Sequence, residues 1–190
     1  IDFVQWSGNI YVNAVPVFIS EPKTVIPAGD IYQYQLAVSD ENKISPLHLE
    51  HVNQINFRLV KAPDGMEITE INIVRWQTDE NNSGEYTVKI EAEDGAANVL
   101  QEFQLFVNSP PIILSGDSTT VQIGDTLTFT IEAKDPNVLD TLIFSINPVP
   151  AGMMLDNRTG NLTWIPVKSQ KGFNDLEISV SDGHGNSKTI

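Results

Sequence analysis

The sequence lacks cysteine, long apolar runs and helical periodicity. None of its 190 residues is cysteine, which excludes thiol chemistry and disulfide bonds. No run reaches about 18 consecutive apolar residues, so no helix is predicted to span a membrane. No segment keeps a hydrophobic period of about 3.6 residues over three turns, which argues against long amphipathic helices. These absences favour a β-rich chain without thiol chemistry.

The sequence also lacks the common signatures of catalysis. It has no Gly-x-Ser-x-Gly motif, no phosphate-binding loop and no dinucleotide-binding fingerprint. Most of its acidic residues fall at predicted turns, where a hydrated carboxylate is not tuned for general acid or base catalysis. The chain is therefore predicted not to be an enzyme.

Positive charge is scarce. The sequence has 11 lysine and arginine residues against 25 aspartate and glutamate residues, for a formal net charge of −14. Such a field repels nucleic acid and anionic lipid and favours cations. The chain is therefore not expected to bind nucleic acid or to insert directly into a membrane.

What the sequence does contain is an internal repeat. One set of residues recurs at an offset of 95, namely Asn13/Asn108, Gly29/Gly124, Asp40/Asp135. A second set recurs at an offset of 88, namely Trp76/Trp164, Gly84/Gly172, Asp94/Asp182. Two copies of one module explain both registers and predict two domains, residues 14–108 and 109–190.

Each module reads as a series of short alternating strands. In residues 31–38, Tyr32, Tyr34, Leu36 and Val38 fall on one face. Seven or so such strands per module, separated by turn residues, predict an immunoglobulin-like β-sandwich. The predicted fold class is thus all-β, with two immunoglobulin-like sandwiches in tandem.

The ends of the chain depart from this pattern. Residues 1–13 are predicted to be the last strand of a preceding repeat, or a donor strand that completes a neighbouring molecule. The second module stops at Ile190, which matches Glu102, so its closing strand is predicted to be missing. A start at Ile1 within a strand pattern predicts a segment of a longer chain. Truncation and strand exchange both explain these ends.

Several motifs resemble a known family of repeats. They are Ala133–Asn137, Pro150–Asp156, Thr159–Pro166 and Val180–Asn186. Together they resemble the putative-Ig / cadherin-like (dystroglycan-type) tandem repeats of bacterial surface proteins. The first module resembles the family less closely, because the Thr-Gly turn is lost between Thr69 and Asn72 and residues 41–54 are inserted. The resemblance implies spacing, adhesion or accessory roles in long extracellular proteins.

Oxygen-bearing side chains recur in two predicted loops and a linker that should lie at one end of each sandwich. They are Asp135, Asn137, Asp140, Asp182 and Asn108 in the second module, and Asp40, Asn42, Asp94 and Asn13 in the first. Several oxygen ligands from different loops suit Ca²⁺. The family resemblance extends this role to Asp135 and Asp182 in particular. Ordinary turn residues are the competing interpretation.

Other candidate residues have simpler interpretations. Trp76 and Trp164 recur at strand positions, which favours core packing over stacking on a sugar. His48 and His51 flank Glu50 in the insertion, a weak metal pattern that reads more simply as a solvated loop. His184, in a glycine-rich turn, is predicted to be exposed.

Taken together, these features predict a non-catalytic spacer or adhesion segment of a larger secreted or cell-surface protein, rigidified by calcium at the inter-repeat joints. The expected partners are a protein or a polysaccharide at a cell surface, or a second copy of the chain. Two alternatives stay open: polysaccharide-binding accessory domains of an extracellular hydrolase, and a filament or surface-layer subunit assembled by strand exchange.

Overall fold

The computed structural model describes residues 12–41, 54–116, 118–184 and 187–190. Within these ranges the regular structure is β, apart from one turn of 3₁₀ helix at Lys168–Gln170. The predicted all-β class is confirmed. No helix in the described ranges is long and apolar enough to cross a membrane. The predicted strands in residues 1–11, and the His48 and His51 hypothesis, lie outside the described residues.

Strands follow one another at short intervals, as the turn residues predict. The first nine are β1 Val17–Phe18, β2 Val25–Pro27, β3 Ile31–Gln35, β4 Val38–Ser39, β5 Asn56–Lys61, β6 Glu67–Ile68, β7 Ile73–Gln77, β8 Gly84–Glu93 and β9 Asn98–Asn108. The next eight are β10 Ile112–Ile113, β11 Leu127–Thr130, β12 Ala133–Lys134, β13 Ile143–Asn147, β14 Met154–Leu155, β15 Asn161–Trp164, β16 Glu177–Ser181 and β17 Ser187–Thr189.

The chain divides into two compact units. The first unit comprises Ile1–Ile26, Asp30–Thr78 and Glu85–Leu105. The second unit comprises Pro27–Gly29, Asp79–Gly84 and Phe106–Ile190. The domain boundaries predicted from the repeat, at residues 14, 108 and 109, stay a prediction.

The sheets of the first unit are antiparallel where their register is defined. One sheet has the strand order β2-β9-β8-β5 and the other the order β3-β7-β6. Tyr32 of β3 lies opposite Trp76 of β7, so two large apolar side chains share one face. The short strands β1 and β4 form a separate ribbon.

The second unit has a similar order of elements, without a counterpart of β2 among its described strands. One sheet is β13-β16-β17, the other is β11-β15-β14, and β10 pairs with β12 as a ribbon. The short strand β17 pairs with β16. At the offset of 88, residues 187–189 correspond to residues 99–101 at the start of β9. The absence of a counterpart to residues 103–108 stays a prediction.

A single stretch of alternating residues becomes two strands in each unit. The predicted strand 31–38 is broken between β3 and β4, because the amide of Leu36 donates to Asn72 O while Ala37 O accepts from Ile19. The chain thus leaves β7 and joins β1. Residues 127–134 do the same around Ile131, whose amide donates to Gly160 O.

The buried face of each unit is the one that alternation predicts. Tyr32, Tyr34 and Leu36 are all buried. In the second unit, one cluster contains Ile131, Phe144 and Val180, and another contains Met153, Leu162 and Trp164. Removing this apolar surface from water is the main force that holds the strands together.

Both tryptophans of the repeat are core residues, as predicted. Trp76 and Trp164 are 3% and 6% exposed. The indole N–H of Trp76 donates to Asp64 O and that of Trp164 donates to Ala151 O, across 3.0 and 3.1 Å. Each ring therefore has its only polar group satisfied by the loop in front of it.

The turn that the sequence appeared to lose in the first module is present. Asn72 has a φ of 58°, and Gly160, at the corresponding position, has a φ of 72°. The backbone carbonyl of Asn72 accepts a hydrogen bond from the amide of Leu36, and that of Gly160 accepts one from the amide of Ile131. Both bonds lie where the strand changes its partner. Asparagine is one of the few residues besides glycine that tolerate a left-handed conformation, so it replaces the glycine here.

Candidate metal centre

Three carboxylates converge at one end of the second unit. Asp135 follows β12, Asp140 lies five residues further along the same loop, and Asp182 follows β16. One oxygen of each lies within 4.8 Å of the other two. The two loops meet because β12 and β16 both end at this end of the second unit.

Two of these aspartates are held by their own turns. Asp135 Oδ1 accepts from the amide of Asn137 across 2.8 Å, and Asp182 Oδ1 accepts from the amide of His184 across 2.8 Å. Aspartate commonly bonds the backbone two residues on, which fixes the orientation of its side chain. The second oxygen of each carboxylate is thereby directed away from the turn.

The cluster contains carboxylate oxygens whose bonding is incomplete. Asp135 Oδ2 and Asp140 Oδ2 are buried and have no hydrogen-bond partner among the described residues. The side chain of Asp140 is only 6% exposed. A buried carboxylate oxygen without a donor is costly, so this arrangement calls for a proton or a cation.

The electrostatics of the three carboxylates also favour a bound proton or cation. Burial raises the pKa of Asp135 above its ordinary value, and the negative charges of Asp140 and Asp182 raise it further. The Asn137 amide and the His184 side chain act in the opposite direction. Like charges at this distance therefore disfavour a third ionised group unless positive charge is added.

The predicted amide ligands bond to the chain itself. Asn137 Oδ1 accepts from the amide of Ser109 at 2.8 Å, and Asn137 Nδ2 donates to Val107 O at 3.0 Å. Asn108 Nδ2 donates to Asp182 Oδ2 at 2.7 Å. The structure thus brings all five predicted residues of the second module together, with the two amides fastening residues 107–109 to the loops. Their ligand role stays a prediction.

The first unit contains part of the same arrangement. Asn13 Nδ2 donates to Asp94 Oδ2 across 2.9 Å, and Asp94 Oδ1 accepts from the amides of Ala96 and Ala97. Asp40 is half-buried, and Asn42 lies outside the described residues. Within the described ranges, the group of three carboxylates occurs in the second unit.

His184 is the residue that sequence reasoning missed. Its Nδ1 lies 3.3 Å from Asp140 Oδ2, and its ring centroid lies 5.3 Å from that of Phe106. The distance is that of an ion pair, and Asp140 Oδ2 accepts no hydrogen bond from the described residues. The available signal was its position two residues after Asp182, inside the turn that this aspartate forms.

Comparison with known proteins first defines the class. Residues 110–190 match the family described as "Putative Ig domain". The predicted resemblance to putative-Ig / cadherin-like repeats is confirmed, and the fold is that of immunoglobulin-like β-sandwiches. Among curated proteins, no relative matches the sequence significantly.

Particular solved structures are similar over almost the whole chain. Immunoglobulin domains 1–4 of Sidekick-1 match with a TM-score of 0.62 and 13% identity, covering 97% of this chain and 49% of that one. The I-band fragment I67–I69 from titin matches with a TM-score of 0.56 and 15% identity, covering 92% of this chain and 62% of that one. At these identities the likeness is one of fold.

An enzyme also contains a similar region. The endo-fucoidan hydrolase MfFcnA4 from glycoside hydrolase family 107 matches with a TM-score of 0.40 and 18% identity, over 93% of this chain. The chain spans 28% of the length of that hydrolase. A likeness this weak carries no conclusion about activity.

Proposed function

We propose that this chain is a non-catalytic spacer or adhesion segment of a larger secreted or cell-surface protein, built from tandem immunoglobulin/cadherin-like repeats. We further propose that its second repeat binds one Ca²⁺ at Asp135, Asp140 and Asp182. The observation that carries this proposal is the convergence of three carboxylates, two of which present buried oxygens without hydrogen-bond partners.

The spacing of these oxygens supports calcium. Calcium takes six to eight oxygen ligands at about 2.3–2.6 Å, so oxygens on opposite sides of the ion are about 5 Å apart. The carboxylate oxygens lie within 4.8 Å of one another. Three carboxylates supply a charge that a divalent cation offsets, and water or backbone carbonyls would complete its coordination.

The chain's own residues connect such an ion to the segment 107–109. Asp182 holds Asn108, and the loop from Asp135 to Asp140 carries Asn137, which bonds to Val107 and Ser109. A cation that holds the two loops together would stabilise all of these contacts at once. The expected role of the ion is therefore to stiffen this segment, which is useful in a spacer.

The buried aromatics favour a spacer over a polysaccharide-binding domain. A sugar-binding face needs exposed rings, whereas Trp76 and Trp164 are buried and bonded to backbone carbonyls. Among the described residues Phe173 is the one fully exposed aromatic, and a single ring does not make a platform. Assembly by strand exchange stays a prediction of the sequence.

Calcium titration tests the proposal. Calorimetry should give a Kd within about 10⁻⁴–10⁻³ M or tighter, the range of extracellular modules, and calcium should raise the Tm because it binds only the folded state. Asp140→Asn should weaken binding at least tenfold. Asp175→Asn, which removes an exposed carboxylate elsewhere in the same unit, should leave it unchanged.

A different result would contradict the proposal. If calcium produces no heat and no change in Tm relative to a chelator, the cluster is not a calcium site. If Asp140→Asn and Asp175→Asn weaken binding equally, the ion is attracted by the overall negative charge and not by these three carboxylates.

A further inference from the structure

The strand that opens the first unit, β1 with its flanking residues, carries three apolar side chains on its outer face. All three are exposed: Val15, Val17 and Ile19. The residues between them point into the unit, because Pro16 is fully buried and Phe18 packs against Phe57 with 6.2 Å between the ring centroids. Alternation along the strand therefore leaves an exposed apolar row, the outer row of this unit.

The second unit repeats the outer row 95 residues later. Its members are exposed as well: Pro110, Ile112 and Leu114. Pro111 is fully buried, and Ile113 packs against the core of the second unit. Residues 15–20 and 110–115 thus share one burial pattern, position by position. Among the described residues, no other pair of exposed large apolar side chains recurs at equivalent positions of the repeat.

Both outer rows lie in stretches of the sequence that carry no charge. Residues 3–20 and 103–116 contain no aspartate, glutamate, lysine or arginine, although these residues make up 19% of the chain. The net charge of −14 makes two copies of the chain repel each other. An uncharged apolar row is therefore a surface at which two copies can approach with little repulsion between nearby charges.

The strands next to the outer rows do not change this. Among the described strands, β1 pairs with β4 and β10 pairs with β12. Ser39 lies opposite Val17, and Lys134 lies opposite Ile112. No carboxylate is thus paired with the middle residue of either outer row.

The prolines indicate how a partner would dock. Proline has no N–H to donate, so Pro16 and Pro111 disfavour the addition of a further strand to this edge. Packing of the outer side chains is the remaining mode of contact. When an outer row packs against the same row of a second copy about a twofold axis, its middle residue meets its own equivalent.

We propose that the outer rows are self-association surfaces, through which two copies of this chain pack side by side at Val17 and at Ile112. A second copy fits because a partner that engages both repeats must present its own docking element twice, as this chain does. One row is smaller than the about 800 Å² per partner of a stable interface, so each contact is weak. The proposal rests on the proposed function, because a cell surface would hold many copies close together and make weak contacts effective.

The experiment traps the contact with engineered thiols in the whole chain. The sequence has no cysteine, so Val17→Cys or Ile112→Cys introduces a single thiol. The control is Met154→Cys on β14, because Met154 is 71% exposed, against 57% for Val17 and 43% for Ile112. Rates of disulfide-linked dimer formation are compared at equal protein concentration and corrected for the reactivity of each thiol with a small reagent. A chelator is present, so the calcium site plays no part.

Both test variants should form dimers faster than the control. A disulfide needs Cα atoms about 4.4–6.8 Å apart, so a row packed on its own copy should raise the rate roughly fivefold or more over random collision. A smaller ratio at either Val17 or Ile112 would overturn the proposal. Calcium titration is measured separately, so failure here leaves the calcium site standing, and failure of the calcium site leaves this result unchanged.

A second measurement needs no thiol. Val17→Thr/Ile112→Thr removes apolar surface and keeps β-branched side chains that suit a strand. In sedimentation equilibrium the unmodified chain should associate more strongly as salt is added, because salt screens the repulsion between copies. The double variant should stay monomeric at the same concentrations. Equal association of the two proteins, association that weakens with salt, or an unmodified chain that stays monomeric throughout would overturn the proposal.

Discussion

The amide of Asn108 donates a hydrogen bond to Asp182 across 2.7 Å, and both side chains are buried. The first unit has the same relationship between Asn13 and Asp94, at 2.9 Å. In both cases an asparagine side chain fastens the turn that precedes the last strand of the unit. The same pairing therefore recurs at equivalent positions of the repeat.

Replacing Asn108 with leucine should destabilise the protein by about 1.5–3 kcal/mol, because the buried carboxylate of Asp182 loses a donor. Asn13→Leu should have a smaller effect, since Asn13 is only half-buried. The control is Asn157→Leu at an exposed position, which should change the free energy of unfolding by less than about 0.5 kcal/mol. Denaturant unfolding measures all three, and an Asn108 variant as stable as the control would contradict the role of the pair.

The raised pKa of Asp135 predicts how stability varies with pH. Burial comes first among its causes, followed by the carboxylates of Asp140 and Asp182. A raised pKa means that the folded state holds the proton more tightly, so this stabilisation is present below the ordinary aspartate value and is lost as pH rises through the raised pKa. With a chelator present, Asp135→Asn should therefore have a higher Tm than the wild type at neutral pH, and the advantage should disappear in acid.

The pKa of Asp156 is shifted in the opposite direction to that of Asp135, so Asp156 provides a control. The amides of Arg158 and Thr159 lower its pKa, so its contribution to stability is present above the ordinary value and is lost as pH falls through the lowered one. Asp156→Asn should lower the Tm at neutral pH. Adding calcium should reverse the order for Asp135→Asn and leave Asp156→Asn unaffected. If Asp135→Asn is the less stable protein even with a chelator, the carboxylates do not repel one another as described.

The left-handed turns of the two units should respond differently to substitution. A Cβ at Gly160 would lie 2.5 Å from Ile131 O, so Gly160→Ala should destabilise the protein by roughly 2–4 kcal/mol. Asn72→Gly should change stability by less than about 1 kcal/mol, since asparagine already adopts this conformation there. Calorimetry tests both variants, and a harmless Gly160→Ala would show that the neighbouring strand can move.

Two neighbouring tyrosines differ in the hydrogen bonding of their hydroxyl groups. The hydroxyl of Tyr34 lies 2.8 Å from both Ser20 O and Gln101 Oε1, whereas the buried hydroxyl of Tyr32 has no hydrogen-bond partner among the described residues. Tyr34→Phe should cost about 1–2 kcal/mol, and Tyr32→Phe should be neutral or stabilising. Equal losses of stability in the two variants would mean that the Tyr32 hydroxyl is bonded after all.

Much of this fold was predictable because alternation and repetition are local properties of a sequence. The buried face of residues 31–38 follows from a period of two, and the equivalence of Asp40 with Asp135 follows from the offset. The break near Leu36 was not predictable, since the alternation continues through the point where the strand changes its partner. The turn at Asn72 could not be predicted from a glycine motif, because the backbone requires only a left-handed conformation, which asparagine also adopts.

The site was predictable in its composition and not in the roles of its members. Repeated aspartates in two loops indicated where carboxylates would meet. The position of His184 two residues after Asp182 placed it near the site. The direction of a half-exposed side chain depends on neighbours distant in sequence, so this position did not predict that the ring turns towards Asp140 and Phe106. In the same way, composition did not reveal that Asn137 bonds to the backbone of residues 107 and 109.

The position of Asn137 explains why an amide is needed there. One side chain both donates to Val107 O and accepts from the amide of Ser109, and only a group with a donor and an acceptor can do both. An aspartate would offer a better cation ligand but would set a carboxylate against a carbonyl. The attachment of this segment through Asn137 is therefore neutral in charge, and it would persist in a medium depleted of divalent ions.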